Sequence, residues 1–150
     1  MYYTAANVDF GNAQLVYELL DMVNEARRAE GLNELEWVPL DAMEEYTLLR
    51  AYELENILHS HIRPNEMYNG FMSEVIIVGG GNTQEKFDTW MNSPGHRKAL
   101  MEPVIEYMCA AKSGRHWIIT IGGEGVPALT ENGSLVDYEK FNDWAKDIYW

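Results

Sequence analysis

Apolar residues recur at helical spacing through much of the first half of the chain. Over residues 12–30 they return every three or four positions, which predicts an amphipathic helix that ends before Gly31. The same spacing returns after Pro39 and predicts a second helix over residues 41–58. The inner face predicted for this second helix comprises Met43, Leu48, Ala51, Leu54, Ile57 and Leu58.

The second half of the chain changes to shorter elements. Residues 75–78 form an apolar run that, with Glu74 before it, predicts a strand, and residues 82–92 predict a helix capped by Asn82. A further helical turn or two is predicted over residues 96–101. Two strands are predicted within residues 107–121, joined by a hairpin loop at residues 112–115. Helices followed by antiparallel strands predict the α+β class.

Composition narrows the range of functions. The chain has 150 residues, the size of one domain, and its formal charge is −13 because 24 Asp and Glu residues outnumber 11 Lys and Arg residues. This balance excludes a nucleic-acid or anionic-membrane surface built on clustered positive charge. No apolar stretch is long enough to span a bilayer, and the first residues show no signal-peptide pattern. Cys109 is the only cysteine, so an internal disulfide and a cysteine-based zinc site are excluded.

The middle of the chain carries the candidate chemistry. The excess of acidic residues is concentrated near the two ends of the chain. Residues 59–122 have no net charge and contain all four histidines. Glu74 directly precedes an apolar run, where a charge is costly unless it is paired. His61 lies in an irregular loop, and His96 lies at a predicted helix start. The spacing of these three residues leaves two interpretations open, a shared site or three separate roles.

Several familiar catalytic motifs are absent. The chain has no glycine-rich phosphate loop, no Gly-x-Ser-x-Gly elbow and no His-Glu-x-x-His pair, and Gly79–Gly81 is interpreted as a turn between a strand and a helix. Cys109 falls in a predicted strand and is interpreted as a packing residue rather than a nucleophile. Ser93, which precedes Pro94 and Gly95, is interpreted as a helix N-cap rather than as a catalytic partner of His96.

Four stretches, in order along the chain, match the motifs of one known family. Residues 24–37 fit the pattern Asn-x-x-Arg-x-x-x-Gly-Leu-x-x-Leu-x-Trp, and residues 60–64 fit the loop Ser-His-x-Arg-Pro. Residues 73–76 are similar to a Gly-Glu-Asn-Ile segment, and residues 90–101 to Trp-Met-Asn-Ser-Pro-Gly-His-Arg-x-Asn-Ile-Leu. The chain thereby resembles the CAP superfamily of cysteine-rich secretory, antigen 5 and pathogenesis-related proteins, and its bacterial SCP-like branch in particular.

The resemblance implies an overall architecture and a location. It implies an α-β-α sandwich, in which a central antiparallel sheet lies between helical layers. The domain is expected to occupy residues 1–125, with residues 126–150 as a C-terminal extension packed on it or flanking it. An extracellular or cell-surface location follows from the same resemblance.

The resemblance also implies a site. In the family, two His and two Glu residues line a central cleft that can hold a divalent cation. His61 matches the first His, Glu74 the first Glu and His96 the second His, while Ser93 stands where the second Glu would be. Two imidazoles and one carboxylate are a reasonable ligand set for zinc or another divalent cation, with a fourth position for water.

Three functions are compatible with such a cleft. The favoured one is a binding module for a small apolar or peptide ligand or a protein partner, with His59, Arg63 and Tyr68 lining or supporting the cleft. The second is a metal-dependent hydrolase in which a zinc-bound water attacks the substrate. The third is an adhesion or interaction domain whose cleft has lost its role.

Overall fold

The computed structural model describes residues 10–39, 41–62 and 71–123, and it alternates short strands with helices before ending in a hairpin. The elements are, in chain order, β1 (Gln14–Leu15), α1 (Glu18–Ala29), β2 (Glu36–Trp37), α2 (Asp41–Asn56), β3 (Ser73–Val78), α3 (Thr83–Met91), α4 (Pro94–Leu100), β4 (Ile105–Ser113) and β5 (His116–Gly123). The chain beyond residue 123, including the predicted extension over residues 126–150, lies outside the described residues.

The strands form one sheet, in which β1, β4, β5 and β3 lie side by side in that order. These four strands pair antiparallel, while the two-residue β2 joins β4 in parallel. The β4–β5 hairpin turns through Gly114 and Arg115, and Gly114 has a φ of 60°, a conformation that two-residue hairpin turns require and that glycine adopts readily. The predicted hairpin is confirmed.

Helices cover both faces of the sheet. Met43, Leu49 and Leu54 of α2 pack on one face, in clusters with Cys109 and Ile118. Helices α1, α3 and α4 lie on the other face, where they share one cluster with alternate residues of β3 and β5. Members of that cluster include Leu19, Val23, Val75, Phe87, Trp90, Leu100 and Ile119. The predicted α+β sandwich is therefore confirmed.

The structure corrects part of the face predicted for α2. Met43, Ala51 and Leu54 are buried as predicted, but Ile57 and Leu58 lie past the end of the helix and are exposed. Polar residues take up much of the buried face instead, and they comprise Thr47, Arg50 and Glu53. This polar strip of α2 faces the candidate site. None of the helices among the described residues is both long and apolar enough to cross a membrane.

Candidate functional site

The carboxylate of Glu74 lies at the centre of a buried ionic cluster. Glu74 is the second residue of β3, and its side chain points toward α2 and is 1% exposed. Arg50 of α2 donates from Nε to Oε1 at 3.0 Å and from Nη2 to Oε2 at 2.6 Å, a two-pronged contact. The same guanidinium donates from Nη1 to Oε1 of Glu53 at 3.1 Å. The requirement for a partner of Glu74, stated from the sequence, is thus met by Arg50.

Mutual charge stabilisation favours the ionised forms of Glu74 and Arg50. Burial alone would raise the pKa of Glu74, but the hydrogen bonds and charges of Arg50 and His61 outweigh it and hold the pKa below its ordinary value. Burial alone would likewise lower the pKa of Arg50, yet Glu74 and Glu53 raise it above the usual value. Removing Arg50 would take the guanidinium away from the buried carboxylate of Glu74.

His61 sits at the rim of the cluster. Its Nδ1 lies 3.0 Å from Oε2 of Glu74, and its side chain is 52% exposed. Arg50 also donates from Nη2 to the carbonyl of Ser60 at 3.0 Å, which fixes the loop that carries the imidazole. An ionised carboxylate only accepts hydrogen bonds, so Nδ1 of His61 carries the hydrogen. When the ring is neutral, Nε2 is therefore an acceptor.

His96 lies in the first turn of α4. Glu74 and Val75 are consecutive in β3 and point to opposite faces of the sheet, and α4 packs on the face of Val75 through Leu100. Within the described residues, no hydrogen bond or ion pair joins His96 to His61 or Glu74, and Nδ1 of His96 is buried without a hydrogen-bond partner. Ser93 is the N-cap residue of α4, as predicted, although its side chain makes no capping hydrogen bond.

The contacts of Glu74 do not fit a divalent cation. Both carboxylate oxygens already accept hydrogen bonds from a guanidinium, whose positive charge repels a metal ion at the same place. The described part of the chain also contains no group of three or more His, Cys, Asp or Glu side chains arranged to hold a metal. A metal site formed by His61, Glu74 and His96 therefore remains a prediction from the sequence.

Three predicted site residues remain, Arg63, Tyr68 and His59, and Cys109 was predicted to be a packing residue. Arg63 and Tyr68 lie outside the described residues. His59 contacts His116, with their Nδ1 atoms 2.8 Å apart. Cys109 is fully buried, and burial raises its pKa to about 12, which confirms a packing role rather than a nucleophile.

The lowered pKa of Glu74 predicts a specific loss of stability in acid. A carboxyl group whose folded pKa lies below its unfolded value of 4.5 stabilises the fold above that value, and this contribution is lost as pH falls through the folded pKa. We expect the urea midpoint of the wild type to fall steeply below about pH 4.5. Glu74→Gln should be less stable than the wild type at pH 7, and its urea midpoint should fall less steeply as the pH is lowered. An equal fall of the urea midpoint in the two proteins would contradict this assignment.

Comparisons with known proteins agree with this architecture. The model of the CAP family, described as the cysteine-rich secretory protein family, matches residues 20–118. A sequence search of curated proteins finds no match. A Bacillus anthracis extracellular protein containing a SCP domain superposes with a TM-score of 0.63 and 18% identity, over 72% of this chain and 40% of that one. An outer surface protein from Borrelia burgdorferi gives a TM-score of 0.53 and 19% identity, over 74% and 98% of the two chains.

Proposed function

Because the chain belongs to the CAP (cysteine-rich secretory protein) family, we propose that it is a peptide-binding domain that works outside the cell or at its surface. The location is supported by the two structural neighbours, one described as an extracellular protein and the other as an outer surface protein. The recognition element is the Glu74–His61 pair. The observation that carries the proposal is the fixed imidazole of His61, held by a buried carboxylate and half exposed.

A pre-positioned imidazole is suited to recognition. Its orientation is set by Glu74 on one side and by the loop contact from Arg50 to Ser60 on the other. Little rotational freedom remains to be lost when a ligand binds, so each hydrogen bond to the ring contributes more of its energy to affinity. With Nε2 as an acceptor, the complementary ligand group is an N–H or O–H donor.

The neighbouring strand supplies a second reason to favour a peptide. Strand β3 pairs with β5 on one side, and no described strand pairs with its other side, where the carbonyl of Ile76 accepts a hydrogen bond from Trp90. A strand edge binds extended peptides through main-chain hydrogen bonds, while nearby side chains provide selectivity. Glu74 lies within this strand, so a peptide along its edge would pass close to His61.

The same geometry favours binding over hydrolysis. The carboxylate of Glu74 is neutralised by Arg50 and is 1% exposed, so it is not free to activate a water molecule. The hydroxyl of Ser93 belongs to the start of α4, and the thiol of Cys109 is fully buried. No described nucleophile contacts His61.

A peptide selection tests this function. A random linear peptide library would be selected on the wild type, and the dissociation constants of synthetic winners would be measured by fluorescence anisotropy. We expect His61→Ala to weaken binding by about two- to tenfold, because a hydrogen bond between neutral groups contributes about 0.5–1.5 kcal/mol. His96→Ala is the matched control, since no hydrogen bond or ion pair among the described residues joins His96 to His61 or Glu74, and it should leave affinity unchanged.

Two results would contradict the proposal. One is a set of selected peptides that bind the wild type and His61→Ala equally well. The other is cleavage of the bound peptides, detected by mass spectrometry, because it would identify the domain as a hydrolase. Equal losses in His61→Ala and His96→Ala would instead support the common cleft predicted from the sequence and would also overturn this assignment.

A further inference from the structure

A pair of imidazoles lies on the α2 face of the sheet, beside the hairpin turn. His59 follows α2, and His116 is the first residue of β5, beside the hairpin turn. Their Nδ1 atoms are 2.8 Å apart and their ring centroids 4.9 Å apart. Both side chains are partly exposed, so solutes can reach the pair from solution. Neither ring is needed for the proposed peptide recognition.

The two nitrogens are close enough to bind the same ion. Their 2.8 Å separation is that of a hydrogen bond in the metal-free pair, and rotation of the two rings turns both lone pairs toward one point between them. Among first-row divalent ions, Cu²⁺ binds nitrogen sites most tightly, and Cu²⁺ and Ni²⁺ both favour square-planar coordination. Imidazole nitrogen is also a preferred ligand of both ions.

We propose that His59 and His116 form a binding site for a square-planar transition-metal ion, with Cu²⁺ preferred, and that water completes the coordination. The two Nδ1 atoms are the protein ligands. In the metal-free pair, one Nδ1 carries a hydrogen that it donates to the other. Metal binding moves that hydrogen to Nε2 of the same ring through solvent and rotates both rings, so that two lone pairs face the ion. No net proton is released when both rings start neutral.

The surroundings of the pair include a carboxylate. Glu55 of α2 accepts a hydrogen bond from Ser113, the cross-strand partner of His116, at 2.9 Å. This contact holds a carboxylate at the same corner of the fold, where its negative charge attracts a cation.

Copper titration tests the site directly. CuCl₂ would be titrated into the full chain in a weakly coordinating buffer, with calorimetry for affinity and electron paramagnetic resonance for the ligand atoms. We expect one ion per chain and a spectrum of a tetragonal centre with nitrogen ligands. His59→Asn and His116→Asn should each weaken binding at least about tenfold, because each removes one of the two protein ligands. Circular dichroism would confirm that both variants are folded.

The control variants use the other two histidines. His61→Ala and His96→Ala each remove an imidazole while leaving the His59–His116 pair intact, so both should keep wild-type copper affinity. The affinity order should be Cu²⁺ above Ni²⁺ and Zn²⁺. Unchanged copper binding in His59→Asn and His116→Asn would overturn the proposal, and so would tighter binding of Zn²⁺ than of Cu²⁺. Because none of these readouts involves peptide binding, failure of the metal site is distinguishable from failure of the proposed function.

Discussion

Replacing Arg50 with Met is expected to lower the free energy of unfolding by about 3–5 kcal/mol, because it removes the guanidinium from the buried carboxylate of Glu74. Arg50 and Glu53 are both fully buried, and the side chain of Glu74 is 1% exposed. For a chain of this length the loss corresponds to a melting temperature lower by about 10 °C. Circular dichroism during heating and urea titration measure both quantities.

An exposed ion pair provides the matched control for Arg50→Met. The Arg28–Glu34 pair has both side chains more than half exposed, and Arg28→Met should cost no more than about 1 kcal/mol. A double-mutant cycle isolates the coupling between Arg50 and Glu74. The variant Arg50→Met/Glu74→Gln should be more stable than the sum of the single losses predicts. Additive losses, or equal effects of Arg50→Met and Arg28→Met, would contradict the buried cluster.

Replacing Trp90 with Ala is expected to cost about 3–5 kcal/mol, because Trp90 joins α3 to the sheet and is fully buried. Its indole Nε1 donates to the carbonyl of Ile76 at 3.2 Å, and its ring packs in the cluster with Val75 and Phe87. Removing the ring opens a cavity that the sheet cannot close. Urea denaturation at pH 7 measures the loss.

Two further variants test how Trp90 stabilises the fold. One separates its packing from its hydrogen bond, and the other is a control at an exposed position. Trp90→Phe keeps most of the packing and loses the hydrogen bond to Ile76, so it should cost about 1–2 kcal/mol. Val104→Ala, at an exposed position, should change stability by no more than about 0.5 kcal/mol. A loss for Trp90→Ala as small as that for Val104→Ala would contradict this packing. The expected result would show that the Trp of the family motif has a structural role.

The sequence was sufficient to predict the elements that have a clear period or a clear turn. Strand β3 and the β4–β5 hairpin occur where their patterns indicated, and helix α1 ends where predicted. The predicted start of this helix at residue 12 is wrong, because Gln14–Leu15 form β1 and the helix begins at Glu18. Two residues carry no strand periodicity, and both β1 and β2 exist only through pairing with β4. Tertiary contact therefore defines these short strands.

The site was predictable only in part. The sequence indicated that Glu74 needed a partner, and its proximity to His61 followed from the family resemblance. Arg50 was missed because it lies on the inner face of a helix whose predicted face was apolar, and the inward-facing strip of Arg50 and Glu53 disrupts that period. Arg50 could have been identified from two facts taken together. An acid beside an apolar strand needs a positively charged partner, and Arg50 is the arginine in a helix predicted to pack on the core.

The pair of His59 and His116 had no local signal at all. The two residues are 57 positions apart, and they meet because the end of α2 packs beside the hairpin turn. Spacing along the chain carries no information about such a contact. The absence of net charge over residues 59–122, which contain all four histidines, indicated the region of a site but not which histidines would meet.

A crystal structure grown with zinc, with anomalous data collected at the zinc edge, tests most directly the central claim that the partner of Glu74 is Arg50 and not a metal ion. We expect the guanidinium of Arg50 about 3 Å from both carboxylate oxygens, His61 on Oε2, and no anomalous peak at Glu74. An anomalous peak bound jointly by His61, Glu74 and His96, with Arg50 turned away, would contradict the claim.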